Sequence, residues 1–295
     1  MDAVYFGRLL TAMITPFTTD GAIDWPRVKD TMEHLIQTGT ETLVVAGTTG
    51  ESPTLSHEEK VELFRFCADE AKGRVKVIAG TGSNNTAASI ELTKEAESTG
   101  VDGVMVVAPY YNKPSQEGMI QHFKAVAGAT NLPVMVYNVP HRTGVNMATE
   151  TMLRLAHEVE NITSIKEASG DLVQAAQLIS RKPEDVAVYS GVDELFIPYL
   201  SVGADGIVSV ASHLLGSEMK EMMNAFFAGD VKKAAEMQQT YNPLMQAMFM
   251  TSSPAPLKYA MALKGICEEH VRLPVIPLND QQKDIVSTLL EELKV

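Results

Sequence analysis

Eight short runs of apolar, largely β-branched residues recur over about the first 210 positions, and each is followed by a longer amphipathic stretch. They cover residues 10–14, 42–46, 75–79, 103–107, 133–137, 162–165, 186–189 and 206–210. Within each run successive residues are apolar rather than alternating with polar ones. A strand with one wet face would alternate; strands covered on both faces of a parallel sheet read in this continuous way. The stretches between carry helix start signals. Ser56 precedes Glu59 by three residues, a capping box opening a helix expected to run to about Lys72. Ser115 stands before a helix expected over 119–129, and Asp171 before one expected over 172–180. Eight strand–helix units of this length fit an α/β fold of the (β/α)8 barrel type. A doubly wound sheet would use fewer strands, and its glycine loop is missing. Gly80-Thr81-Gly82 begins like a dinucleotide fingerprint but lacks the third glycine, and no Gly-Lys-Ser/Thr element occurs.

After Ser212 the strand signals stop. Helices are expected over 218–228, 231–250, 256–264 and 281–294, with Pro254, Pro256, Pro274 and Pro277 separating them. The chain therefore divides into a catalytic barrel, 1–225, and a C-terminal helical region, 226–295, too small to hold a core of its own. Met219, Met222, Met223, Met237, Met245, Met248 and Met250 read there as adaptable packing, some of it against a second subunit.

Composition narrows the function classes. Hydrophobic residues make up 45% and charged residues 21% of 295, which excludes disorder and fibrous repeats. No apolar run approaches the roughly 18 residues of a membrane helix. The N-terminal segment, with Asp2 and only Arg8 as a basic residue, does not read as a secretion signal. A net charge of −13 disfavours nucleic acid and anionic lipid as partners, and an anionic substrate must meet locally placed cations. Cys67 and Cys267 are too few for a disulfide framework, which suits a cytoplasmic setting. The seven histidines are dispersed, with neither HExxH nor CxxC present, so a His- or Cys-based metal site is not expected.

In a barrel the chemistry stands where strands end. Those positions hold Gly47-Thr48-Thr49-Gly50-Glu51, Tyr110-Tyr111-Asn112, Tyr137-Asn138 with Arg142 in the following loop, Lys166-Glu167 and Ser190-Gly191. Lys166 closes an apolar run, where desolvation lowers an amine's pKa and leaves part of it nucleophilic. Pulling a lysine from about 10.4 towards 7.5 costs about 4 kcal/mol. Lys113, a loop residue expected to stay hydrated, is the rival nucleophile. Tyr137 on the neighbouring strand suits a proton shuttle. Thr48 and Thr49 suit a carboxylate, and Arg142 is a carboxylate fork. Singly, each has a plainer reading: strand cap, packed phenol, turn residues, surface charge. Together they describe a Schiff-base lyase acting on carboxylated carbonyl compounds.

Four segments carry a family resemblance: Gly-Thr-Thr-Gly-Glu-Ser-Pro-Thr-Leu at 47–55, Pro-Tyr-Tyr-Asn-Lys-Pro-Ser-Gln-Glu-Gly at 109–118, Tyr-Asn-Val-Pro-His-Arg-Thr-Gly at 137–144 and Ile-Lys-Glu-Ala-Ser-Gly-Asp at 165–171. Over nearly its whole length the chain resembles the 4-hydroxy-tetrahydrodipicolinate synthase (dihydrodipicolinate synthase) family of pyruvate-dependent class I aldolases. The resemblance implies a barrel with a C-terminal helical region, usually a homotetramer. Its reaction joins pyruvate and L-aspartate 4-semialdehyde on the diaminopimelate route to lysine, with no cofactor. By position, Lys166 would form the imine, and Thr48, Tyr137 and a neighbouring subunit's Tyr111 would relay protons. Thr49 and Arg142 would hold carboxylates, while Gly191 and Ile207 would line the pocket through their carbonyls. N-acetylneuraminate lyase and 2-keto-3-deoxygluconate aldolase share the lysine and tyrosine, but Arg-Thr-Gly at 142–144 argues against them. A non-catalytic barrel is at odds with the intact lysine, tyrosine and threonine set. Lysine-inhibited members bind their effector near positions matching Ser52, His57, Asn84 and Tyr110. They carry histidine where this chain has Lys60 and glutamate where it has Ala88, so feedback insensitivity is expected.

Overall fold

The computed structural model describes residues 4–295, and Asp2 lies outside the described residues. Eight strands, β1 (Leu9–Ala12), β2 (Thr42–Val45), β3 (Lys76–Gly80), β4 (Gly103–Val107), β5 (Val134–Asn138), β6 (Ile162–Glu167), β7 (Ala187–Ser190) and β8 (Gly206–Ser209), close into a barrel in chain order. Every pairing is parallel, and β1 meets β8 with Leu10 opposite Val208. The helices are α1 (Trp25–Gln37), α2 (His57–Ala71), α3 (Thr86–Glu97), α4 (Gln116–Ala127), α5 (Pro140–Thr143) and α6 (Thr149–Glu158). They continue with α7 (Leu172–Ile179), α8 (Phe196–Ser201), α9 (Ser212–Phe227), α10 (Val231–Ala247), α11 (Ala255–Leu263) and α12 (Asp280–Leu293).

Alternation along each strand sorts the core into two layers, which is why the runs are apolar throughout. Val104, Val106, Val134 and Val136 pack outward with residues of α1 to α6, such as Met32, Phe64, Phe123 and Met152. Met105, Met135, Tyr137 and Val208 point to the barrel interior and join a cluster that continues into Met219, Met245, Met248 and Met261. The helical region thus belongs to one buried cluster with barrel residues, and the boundary expected at 225/226 falls inside α9. Met222 and Met223 are buried there as well, Met237 packs at the margin, and Met250 is exposed.

The caps form where the sequence places them. Ser56 and Glu59 complete the capping box of α2, Ser115 accepts from Gly118 N, and Asp171 accepts from Val173 N and Gln174 N. Two boundaries differ in ways that matter. β6 continues through Glu167, so Lys166 lies within the strand rather than just beyond it. α9 starts at Ser212, separated by two residues from the end of β8, and breaks helical geometry at Leu215; the stretch expected from 218 is its second part.

Candidate active site

β5 and β6 pair with Tyr137 opposite Lys166 and Asn138 opposite Glu167. The first pair points into the barrel and the second away from it, as alternation requires. The outward pair is locked. Asn138 Nδ2 donates to Glu167 Oε2 at 3.0 Å, Gln174 Nε2 to the same oxygen at 3.1 Å, and Ser169 N to Oε1 at 2.6 Å. A buried carboxylate satisfied by neutral donors fixes the strand register, and through it the spacing of the inward pair.

Lys166 is 5% exposed, and its Nζ lies 4.2 Å from the centre of the Tyr137 ring. Burial pushes its pKa down to about 7, with Asp193 opposing and Arg142 reinforcing the fall. Near neutral pH a large fraction of this amine is therefore uncharged. Burial pushes Tyr137 up to about 12, against the pull of Arg142 and a hydrogen bond with Thr48, so the phenol keeps its proton until a reaction demands it. Gly191 is needed for space: a Cβ there would come within 2.6 Å of Ala168 Cβ and 2.9 Å of Lys166 Cε.

Thr48 and Thr49 stand on the loop after β2, entered through Ala46 in the left-handed region at φ +49°. Its far end is anchored by buried charge. Glu51 Oε1 lies 2.6 Å from Lys258 Nζ, whose side chain on α11 has no exposure, and Glu51 Oε2 accepts from Arg272 N at 3.0 Å. Lys258 Nζ also donates to His270 O at 2.8 Å and lies 4.0 Å from the centre of the Phe17 ring. Arg272 forks onto Glu59 at 2.6 and 2.8 Å.

Thr48, Thr49, Tyr137, Arg142, Lys166 and Gly191 all line one cavity of about 470 Å³. The guanidinium of Arg142 makes no ion pair among the described residues, leaving it free for an anion. Two features of this cavity escaped the sequence reading. Its rim includes Phe249, Ser252 and Ser253 from the connection between α10 and α11, and its wall includes Glu194, just beyond β7. Carrying the list of strand-end residues three positions past Gly191 would have found Glu194; nothing in the periodicity of the helical region marked the two serines.

Two residues are not gathered with the others. Ile207 lies fully buried within β8, and the lining residue on that side is Val210. Tyr111, at φ +72°, is 88% exposed and projects away from its own cavity. Lys113 is exposed and lines neither cavity described here. An adjoining cavity of about 280 Å³ shares Thr48, Tyr137 and Arg142, and is completed by Ser52, Lys60 and Tyr110 among others. Burial lowers the pKa of Lys60, His57 pairs with Glu95 at 3.0 Å, and Ala88 is exposed on α3. Among the described residues no group of three or more His, Cys, Asp or Glu is placed to hold a metal ion, and no helix is long and apolar enough to cross a membrane.

Residues 5–293 match the model of the Dihydrodipicolinate synthetase family. The 4-hydroxy-tetrahydrodipicolinate synthase of Bacillus subtilis is 52% identical over 288 residues, covering 98% of this chain and 99% of that one. The crystal structure of a dihydrodipicolinate synthase from Bacillus anthracis matches with a TM-score of 0.95 at 51% identity, over 97% of this chain and 98% of that one. A structure of DHDPS from Cyanidioschyzon merolae with lysine bound matches with a TM-score of 0.97 at 40% identity, over 100% and 99% of the two chains.

Proposed function

The chain belongs to the Dihydrodipicolinate synthetase family and is a lyase, and from that premise we propose that it condenses pyruvate with L-aspartate 4-semialdehyde to 4-hydroxy-tetrahydrodipicolinate. The observation that carries this reading is a buried lysine, half-deprotonated near pH 7, beside a phenol and in one cavity with an unpaired arginine. The neutral Lys166 amine attacks C2 of pyruvate, and the carbinolamine loses water to leave a protonated imine. That cation is an electron sink, so C3 gives up a proton and the resulting enamine attacks the aldehyde carbon. The substrate's own amine then displaces Lys166 from C2, closing the ring. Tyr137, bonded to Thr48, moves protons at each addition and elimination. Thr49 holds the pyruvate carboxylate and Arg142 that of the semialdehyde, with Gly191 and Ile207 contributing backbone carbonyls. The electron sink is the imine itself, so the sequence of steps calls on no metal or organic cofactor.

Tyr111 completes the relay in a neighbouring subunit, a role supported by its exposure and outward projection. The protein is accordingly a homo-oligomer, in all a dimer of dimers, working in the cytoplasm on the diaminopimelate route to lysine, with the barrel as its catalytic part. Free L-lysine does not inhibit it. The Cyanidioschyzon merolae relative was solved with lysine bound, but here Lys60 borders the cavity beside Ser52 and Tyr110 without a carboxylate partner. A like charge at about 4 Å opposes binding by roughly 4 kcal/mol at an effective dielectric of 20. Millimolar affinity is worth only about 4 kcal/mol in total.

Parallel assays with pyruvate and L-aspartate 4-semialdehyde, or pyruvate and N-acetylmannosamine, test the reading. Turnover of the semialdehyde alone supports it; turnover of the sugar instead makes the protein a sugar-acid aldolase.

A further inference from the structure

We propose that Glu194 selects the second substrate by receiving its ammonium group, an inference that rests on the condensation reading above. L-Aspartate 4-semialdehyde brings three features to the cavity: an aldehyde for the enamine, a carboxylate, and an ammonium on the same carbon as the carboxylate. Arg142 accounts for the carboxylate, and its guanidinium would repel the ammonium. A desolvated ammonium needs an acceptor, and a carboxylate is the strongest available.

None of the other carboxylates near the strand ends lines this cavity. Glu51 is buried against Lys258 and Arg272 N. Glu167 faces outward and is satisfied by Asn138, Gln174 and Ser169 N. Asp193 is buried, with Oδ2 accepting from Val210 N at 3.0 Å and Ala211 N at 2.9 Å and Oδ1 without a hydrogen-bond partner. Glu194 differs from all three. It lines the same cavity as Lys166, Arg142 and Thr49, is half-buried, and forms no hydrogen bond or ion pair among the described residues. It sits in the one-turn 3-10 helix Asp193–Leu195, which is separated by two residues from the end of β7.

Arg142, Glu194 and the enamine on Lys166 also make three separate contacts around one stereocentre, which is what recognition of a single enantiomer requires.

Steady-state kinetics on the full-length protein test this with Glu194→Gln and Glu194→Asp, using succinic semialdehyde as the probe that keeps the carbon skeleton and lacks the ammonium. Glu194→Gln lowers kcat/KM for L-aspartate 4-semialdehyde by about 10- to 100-fold, the range for losing a charged hydrogen bond, and Glu194→Asp recovers part of it. KM for pyruvate and the yield of borohydride-reduced pyruvate adduct stay at wild-type values. The inhibition constant of succinic semialdehyde against the true substrate changes by no more than about twofold, since it never made the contact. An unchanged kcat/KM in Glu194→Gln overturns the proposal. So does a parallel loss of succinic semialdehyde affinity or of pyruvate binding, which would mark a general structural role. A wild-type protein that fails to turn over L-aspartate 4-semialdehyde overturns the condensation reading itself and this inference with it.

Discussion

Replacing Lys258 by methionine removes the cation from a carboxylate that has almost no access to water. The side chains of Lys258 and Glu51 are 0% and 2% exposed, and their charged atoms lie 2.6 Å apart. Taking one partner from a buried pair costs about 3–5 kcal/mol, most of it the penalty of leaving the other charge unpaired. Arg272 N still donates to Glu51 Oε2, so the lower end, about 3 kcal/mol, is expected. For a chain of this size that lowers Tm by about 6–12 °C. The double variant Glu51→Gln, Lys258→Met restores much of the loss, because a neutral amide beside an apolar side chain carries no stranded charge. Activity falls as well, since Glu51 anchors the loop on which Thr48 and Thr49 stand. Calorimetric unfolding of the two single variants and the double, with initial rates on each, measures both effects. A Lys258→Met Tm within about 2 °C of wild type, or a double variant whose loss is the sum of the singles, would refute the reasoning.

The pKa of Lys166 makes two further predictions. Imine formation at saturating pyruvate rises with pH through about 7 and then levels, which stopped-flow or quench trapping follows. Below pH 7 the amine is charged in both folded and unfolded chains, so the folded state carries the full cost of burying that charge. The cost disappears between pH 7 and 10.5 as the folded amine alone releases its proton. Lys166→Met therefore stabilises the protein most below pH 7, by up to about 5 kcal/mol, and the gain over wild type shrinks at higher pH; a pH-independent difference in Tm contradicts this. Tyr111→Phe slows turnover by about 100-fold, the scale of a positioned proton-transfer group, and dilution to monomer abolishes activity; a fully active monomer in sedimentation-matched assays contradicts the shared relay. Initial rates with several millimolar L-lysine stay at the uninhibited value, whereas Lys60→His with Ala88→Glu gains sensitivity; clear partial inhibition of the native protein counts against the role given to Lys60.

The barrel was legible because strands buried on both faces leave continuous apolar runs, and Val104-Met105-Val106 shows why: outward and inward residues are both covered, by different layers of the core. Lys166 was legible for the same reason, as a charge closing such a run. Other features depend on distance relations that a linear pattern does not hold. Lys258 is the single charged residue in the nine of α11, a hint that it is buried, yet its partner Glu51 lies some two hundred positions earlier. Only Val210 and Ala211 connect β8 to α9, and neither residue type signals a turn. Glu194 lay beyond the last strand-end residue considered. Ile207 and Val210 differ by three residues along one strand exit, and only the closed barrel shows which of them reaches the cavity.

The central claim is that Lys166, among all the lysines, forms the imine with pyruvate. Incubation with pyruvate and borohydride, then peptide mass mapping, tests it most directly. The account predicts one reduced adduct per chain, on the peptide containing Lys166 and absent from Lys166→Met. An adduct on Lys113 or Lys258, or a chain left unmodified while the protein turns over, would contradict it.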